Sequence, residues 1–282
     1  MADPAYVTSR VTELALEDLR RRGHQPVMAG PDQVAVGSHD TLGLTNLRQV
    51  CNQHPETEWA ALVGQHFDAV FAVVEHGVDP DWEVARPHLR IRVYPPESVI
   101  APDESFVWQL APDLFAVVMY DLPTALFSVK QEAARPWGKG RDGLWAAGLE
   151  NMAREPAPKI TNIGSEAVPV LAIESESYYT ATHVVWLDRH VSMNPDLGAV
   201  VGVPSRHLLM AHPLRNLGAL TAITQMIIGA GSVFDSGPGS ITPNLYWWRG
   251  GSLTHLPSDR QARSLTPPDG FVQLLNSLPA AP

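Results

Sequence analysis

The clearest hydrophobic pattern in the chain lies at residues 106–153. Seven apolar or aromatic residues at 114–120 stand between Pro112-Asp113 and Asp121-Leu122-Pro123. A run this short, rich in branched and aromatic side chains and bracketed by turn formers, predicts a strand buried on both faces. Residues 106–110 reach it through Ala111-Pro112-Asp113, a connection suited to an antiparallel hairpin. Beyond Pro123 the period changes. Ser128 and Gln131 have the spacing of a capping box, which predicts a short helix ended by Pro136. After a glycine-rich, basic loop at 138–143, read as a flexible connection, Leu144, Ala147, Gly148 and Met152 fall on one side of a second helix that covers a sheet.

The rest of the chain alternates helices with hairpins. Asp3-Pro4 opens a helix whose Val7, Val11, Leu14, Ala15 and Leu19 share one side as far as Gly23. Residues 26–36 read as a small hairpin turning at Gly30-Pro31-Asp32. Thr45 is placed to cap a helix carrying Leu47, Val50 and Cys51, and residues from Trp59 to Val74 recur at helical spacing. Residues 89–94 alternate apolar and basic, predicting a half-exposed strand. Residues 168–173 form another strand, with Pro169 at an edge or start, and 178–187 a helix lying on the sheet. Residues 197–203 and 207–211 pair around Pro204-Ser205-Arg206, 217–228 form the most apolar helix with Asn216 as its cap, and 244–255 turn at Gly250-Gly251.

Hairpins at both ends of the chain predict an α+β fold, a mostly antiparallel sheet with helices packed on it. The Pro/Asp-rich stretch 78–88 is the expected linker between an N-terminal lobe, 1–77, and a main sheet domain, 89–256. The tail, 257–282, is rich in Pro, Ser and Asp and is expected to be largely mobile, with 271–275 docking as one short turn.

Composition narrows the functional classes. The chain has 282 residues, of which 45% are hydrophobic and 18% charged, enough for one large domain or two small ones. Every apolar run is interrupted before the roughly 18 residues of a membrane span, and no signal peptide is visible. Cys51 is the single cysteine, which excludes an internal disulfide and points to a reducing cytoplasm. A net charge of −10 argues against nucleic acid and suits a basic protein partner.

No familiar catalytic motif is present. Gly37-Ser38 and Gly239-Ser240 lack the second glycine of a nucleophile elbow. Ser205 beside Arg206 and His207 reads as a turn, and Cys51 as a small buried thiol. His183 and His190 are two helical turns apart, but Asp188 and Arg189 end the helix between them. Asp79 and Asp81 lack the other oxygens of a calcium loop, and no metal or cofactor is expected.

Three pieces of sequence occur in a suggestive order. Asp121-Leu122-Pro123 is followed by Trp137-Gly138 and Leu149-Glu150-Asn151-Met152. Tyr178-Tyr179 precedes Thr180-Ala181-Thr182. Val203-Pro204-Ser205-Arg206 leads into His207-Leu208-Leu209, with Trp248-Arg249-Gly250-Gly251 beyond. Together with Thr45-Asn46-Leu47, this order resembles a YtpQ-like family of bacterial proteins without an assigned activity. The resemblance implies a fold and a cytoplasmic location. That family has an acidic residue after the Arg of the Pro-Ser-Arg turn, where this chain has His207, so no role passes to that position.

The residues best suited to binding are Asp121, Glu174, Glu176, Tyr178 and Arg206, which would form an acidic recess with one arginine if they converged. Trp247 and Trp248 join them, because neighbours on a strand face opposite ways and one is expected to be exposed. Two readings follow. One is a non-enzymatic cytosolic binding protein of the immunity or client-masking kind, with an acidic surface for a basic partner. The other is a small-molecule hydrolase built on Asp121, Glu174, Glu176 and Arg206.

Overall fold

The structure, a computed structural model, describes residues 4–30, 33–36, 41–99, 101–122, 125–236 and 239–281. Asp3, Pro31-Asp32, Ser38 and Pro123, used in reading the sequence, lie outside them. The chain forms two compact units that interleave: 1–90, 97–106 and 118–148 in the first, and 91–96, 107–117 and 149–282 in the second. The expected single linker at 78–88 therefore does not separate them. That stretch holds a short helix, α4 (Trp82–Ala85), capped by the Asp81 carboxylate accepting from Glu83 N–H.

In the first unit, α1 (Pro4–Arg21), α2 (Thr45–Asn52) and α3 (Glu56–His76) pack on one another. Their apolar stripes meet in a core that includes Val11, Leu19, Leu47, Cys51, Trp59 and Phe67. The antiparallel strands β1 (Pro26–Gly30), β2 (Gln33–Val36) and β3 (Thr41–Gly43) lie in order, and Val34 and Val36 of β2 enter the same core. Helix α2 starts at Thr45, with Leu44 in the cap position.

Two strands run from one unit into the other: β4 (Leu89–Tyr94) and β6 (Leu114–Leu122). In the second unit β5 (Val107–Ala111) pairs with the start of β6, as the hairpin pattern predicts. In the first unit the end of β6 pairs with β7 (Ala125–Ser128), Met119 opposite Ser128 and Tyr120 opposite Phe127. The capping box at Ser128 is therefore not used. Ser128 ends a strand, and the Gln131 amide donates to the carbonyls of Asp103 and Ser105. A helix of one or two turns before Pro136 cannot offset its nucleation, whereas the Leu126-Phe127 pair completes a sheet edge. A 3₁₀ turn, Arg135–Trp137, and a left-handed Gly138 at φ 59° lead into α5 (Arg141–Met152), with Leu144, Ala147 and Met152 buried.

The second unit is built on a six-stranded antiparallel sheet. Its strands are β8 (Lys159–Asn162), β9 (Leu171–Glu174), β10 (Ala199–Ser205), β11 (Leu208–Pro213), β12 (Leu245–Arg249) and β13 (Ser252–Leu256), in the order β13-β12-β10-β11-β9-β8. Helix α6 (Ala219–Ser236) covers one face, burying Ile223, Met226, Ile227 and Ala230 against Val200, Met210 and Trp247. The 3₁₀ segment Thr180–Arg189, kinked at Trp186, packs on β10 and β11. The α-helix expected at 178–187 gives way to this tighter form because Thr180, Thr182, Val184 and Val185 resist an α-helical run.

Because both sheet faces are covered, neither Trp247 nor Trp248 is exposed. Trp247 packs on Phe271 and donates to the Leu197 carbonyl, while Trp248 donates to the Val184 carbonyl across the other face. The tail also differs from expectation. It carries the two-residue strands β14 (Ser258–Asp259) and β15 (Ser264–Leu265), then α7 (Asp269–Ser277). Phe271 is fully buried in the α6 core and Leu278 nearly so, burial worth about 1.5–3 kcal/mol for one such side chain. Among the described residues, no helix is long and apolar enough to cross a membrane.

Candidate anion-binding site

Three segments of the second unit bring a charged cluster together. The first is β4, which presents Arg92 and Tyr94. The Val93 N–H donates to Thr182 Oγ1, tying this strand to the start of the 3₁₀ segment. Leu89, Ile91 and Val93 fall on one side as alternation requires, but Arg92 is buried too, at 7% exposure. On the face expected to be wet, Arg92 is thus buried, while Arg90 and Tyr94 keep part of their surface exposed.

The second segment is the turn at 175–180. Ser175 Oγ donates to Thr180 Oγ1, whose own proton goes to the Ser177 carbonyl, and accepts from Ser177 N–H, while Ser177 Oγ accepts from Tyr179 N–H and donates to Glu155. Local hydroxyl-to-backbone bonds of this kind fix a turn without regular structure. They set the place of Tyr178, whose side chain stays half exposed. The third segment is the two-residue turn between β10 and β11, Arg206-His207, closed by Ser205 opposite Leu208. The backbone of Arg206 donates to the Gly239 carbonyl and accepts from Ala181 N–H. Its side chain lies on Gly239, where an added Cβ would come within 2.6 Å of Arg206 Cδ and where φ is +86°. Only glycine suits that position on either count.

The guanidinium of Arg206 lies 4.5 Å from the Tyr178 ring centre and that of Arg92 lies 5.8 Å from the same ring. Arg92 also stacks on Tyr94 at 4.7 Å. Arg206 Nε donates to His207 Nε2 at 3.0 Å, which fixes that imidazole as neutral, with its proton on Nδ1. Burial, then the charge of Arg206, pushes the His207 pKa down, against smaller upward effects of the Ser175 and Ser177 backbone and of Glu176. Burial, then the charge of Arg92, lowers that of Arg206, so the two guanidinium groups feel each other. Tyr94 is pushed up by burial and drawn back by both arginines.

Neither guanidinium has a carboxylate partner among the described residues, and Arg92 Nε is buried with no hydrogen-bond partner there. Two cations held close together and faced by π systems, with no carboxylate beside them among the described residues, have the chemistry that an anion could satisfy. Of the residues proposed from sequence, Tyr178 and Arg206 meet here. Glu174 and Glu176 are exposed on the surface, and Glu176 reaches the cluster only through its field on His207. Asp121 belongs to the first unit, where its carbonyl contacts His88 Nδ1. Trp247 and Trp248 are core residues. In place of an acidic cluster with one arginine, the structure brings together two arginines with no carboxylate partner among the described residues.

Sequence reasoning missed Arg92 and Tyr94 because basic residues on an alternating strand read as its wet face. The histidines set aside because the helix was expected to end between them also meet, His183 buried and His190 partly so. His183 Nδ1 and His190 Nε2 are 2.6 Å apart, and the Trp186 indole donates to His183 Nδ1 at 3.0 Å. The kink at Trp186, which a straight helix would not have, lets the pair meet. Among the described residues, no group of three metal-binding side chains accompanies it. Comparison of the chain with family models, with curated proteins and with solved structures finds no match.

Proposed function

We propose that this protein is a binding protein and that its site takes an anionic group between Arg92, Arg206 and Tyr178. The observation that carries the proposal is the pair of guanidinium groups without a carboxylate partner among the described residues, one on the buried Arg92, whose Nε has no hydrogen-bond partner there, and one on the partly buried Arg206. An uncompensated buried charge costs several kcal/mol in a fold, a cost that an anionic ligand would offset. Binding is favoured over hydrolysis because the cluster contains no general base or activated nucleophile. His207 has its Nε2 lone pair committed to Arg206, and no carboxylate among the described residues pairs with either arginine.

The net charge of −10 argues against a nucleic acid as the carrier of the anion, since a polyanion would meet a chain of like charge overall. A cytoplasmic setting belongs to this reading, supported by a lone cysteine that is buried. The YtpQ-like resemblance bears on this reading only through the cytoplasmic location it implies. A thermal-unfolding series tests the proposal. Millimolar phosphate or citrate should raise the midpoint of the wild type above that in chloride of equal ionic strength. Arg206→Met should abolish the difference, and an unchanged wild-type midpoint in every anion would remove the proposal.

A further inference from the structure

We infer that the anion is a phosphate group with a charge near −2, presented either as free phosphate or as a monoester whose organic part leaves past Tyr178. The inference rests on the anion-site reading above and goes further in naming the ligand. Charge is the first ground. Arg92 and Arg206 together carry two positive charges and His207 is held neutral by the Arg206 Nε bond. A monocarboxylate would leave one of these charges uncompensated in a buried place, whereas a phosphate monoester near neutral pH neutralises both. Glu176, the nearby acid, is exposed and pairs with neither guanidinium, so it does not supply the balance.

Donor number is the second ground. The terminal N–H groups of Arg92 and Arg206, two guanidinium forks that meet at the Tyr178 ring, outnumber what two carboxylate oxygens accept. Three phosphate oxygens accept more of them, and the planar guanidinium fork matches phosphate geometry. The third ground is the way out. Tyr178 is 50% exposed and lies against both cations, so a group entering between them passes along its ring. A flat apolar substituent on the phosphate would stack there.

Isothermal titration of the full chain with inorganic phosphate, phenyl phosphate and acetate tests this. Phenyl phosphate and inorganic phosphate should each bind at least about tenfold tighter than acetate, the difference expected from added charge-assisted hydrogen bonds. Phenyl phosphate tighter than inorganic phosphate, with Tyr178→Ala removing that margin, identifies the monoester. Equal affinities with no effect of Tyr178→Ala identify free phosphate as the source. Acetate binding as well as phosphate would overturn the inference while leaving the anion site standing. No heat from any of the three, with the protein folded, would overturn both.

Arg92→Met provides a second arm. It removes an unpartnered buried charge for a side chain of similar reach, so it should bind phosphate at least about tenfold more weakly while unfolding at the wild-type urea midpoint or above. A purely structural arginine would instead lose stability. A fall in the midpoint with phosphate affinity unchanged would contradict the assignment.

Discussion

Acidification should destabilise the second unit most strongly through His183. Its imidazole is buried, accepts from the Trp186 indole and faces His190 and Arg189, and burial first and His190 second push its pKa from 6.5 down to about 4. His190 is displaced the same way, by burial and then by Arg189, with Asp188 opposing. The folded state therefore resists a proton that the unfolded chain takes up from about pH 6.5 downward. Stability should be complete above that pH, fall through the window from 6.5 to 4, and level off below it. A shift of this size corresponds to about 3 kcal/mol across the whole window and about 2 kcal/mol by pH 5. Urea unfolding at pH 7.5, 6 and 5 measures the loss. His66, His207 and His212 are also lowered by burial and contribute in the same direction. The decisive quantity is accordingly the difference between wild type and His183→Asn, whose amide oxygen can accept from Trp186 without titrating. The variant should be flatter by about 2 kcal/mol between pH 7.5 and 5. Identical slopes, or a His183 resonance titrating near pH 6.5 in the folded protein, would refute the reasoning.

Phe271→Ala should cost about 3–5 kcal/mol of unfolding free energy, because the ring is fully buried against Trp247 and α6, and a urea curve within 1 kcal/mol of wild type would show a tail that does not contribute to the core. Gly239→Ala should cost about 1–2 kcal/mol from its left-handed backbone alone and should also weaken phosphate binding, since the new Cβ displaces Arg206. Unchanged affinity by titration would mean that Arg206 does not depend on that turn. The Cys51 thiol, fully buried and pushed up to about 11, should react with a disulfide reagent far more slowly in the native protein than in urea. Comparable rates would place it at the surface.

The elements that depend on local pattern were legible in the chain. Helix α1 runs from Pro4 with Val11 and Leu19 inward, the β5–β6 hairpin turns at Pro112-Asp113, the β12–β13 hairpin turns at its glycines, and the β10–β11 hairpin forms with its turn shifted from Pro204-Ser205-Arg206 to Arg206-His207. What was not legible depended on how many sides of an element are covered. Alternation in β4 shows two faces but not how far the second is covered, so Arg92 read as solvated when it is buried. Adjacent Trp247 and Trp248 must point opposite ways, and they do, but each face has its own cover. The Ser128 capping box is a local signal overruled by strand pairing with β6. The interleaving of the units follows from β4 and β6 belonging partly to each, which no linker composition reveals. The candidate site was half visible: Tyr178 and Arg206 were named, and their partners came from a strand more than 80 positions earlier.

The most direct measurement of the central claim is the Nε–Hε region of a ¹⁵N NMR spectrum, recorded at neutral pH as phosphate is added. Arg92 and Arg206, assigned by the Arg92→Met and Arg206→Met variants, should give signals that persist through burial. Both should move together and saturate at one phosphate per chain, while exposed arginines such as Arg21 and Arg154 stay in place. Signals of Arg92 and Arg206 that stay fixed through the titration, or drift only as those exposed arginines do, would contradict an anion site between them.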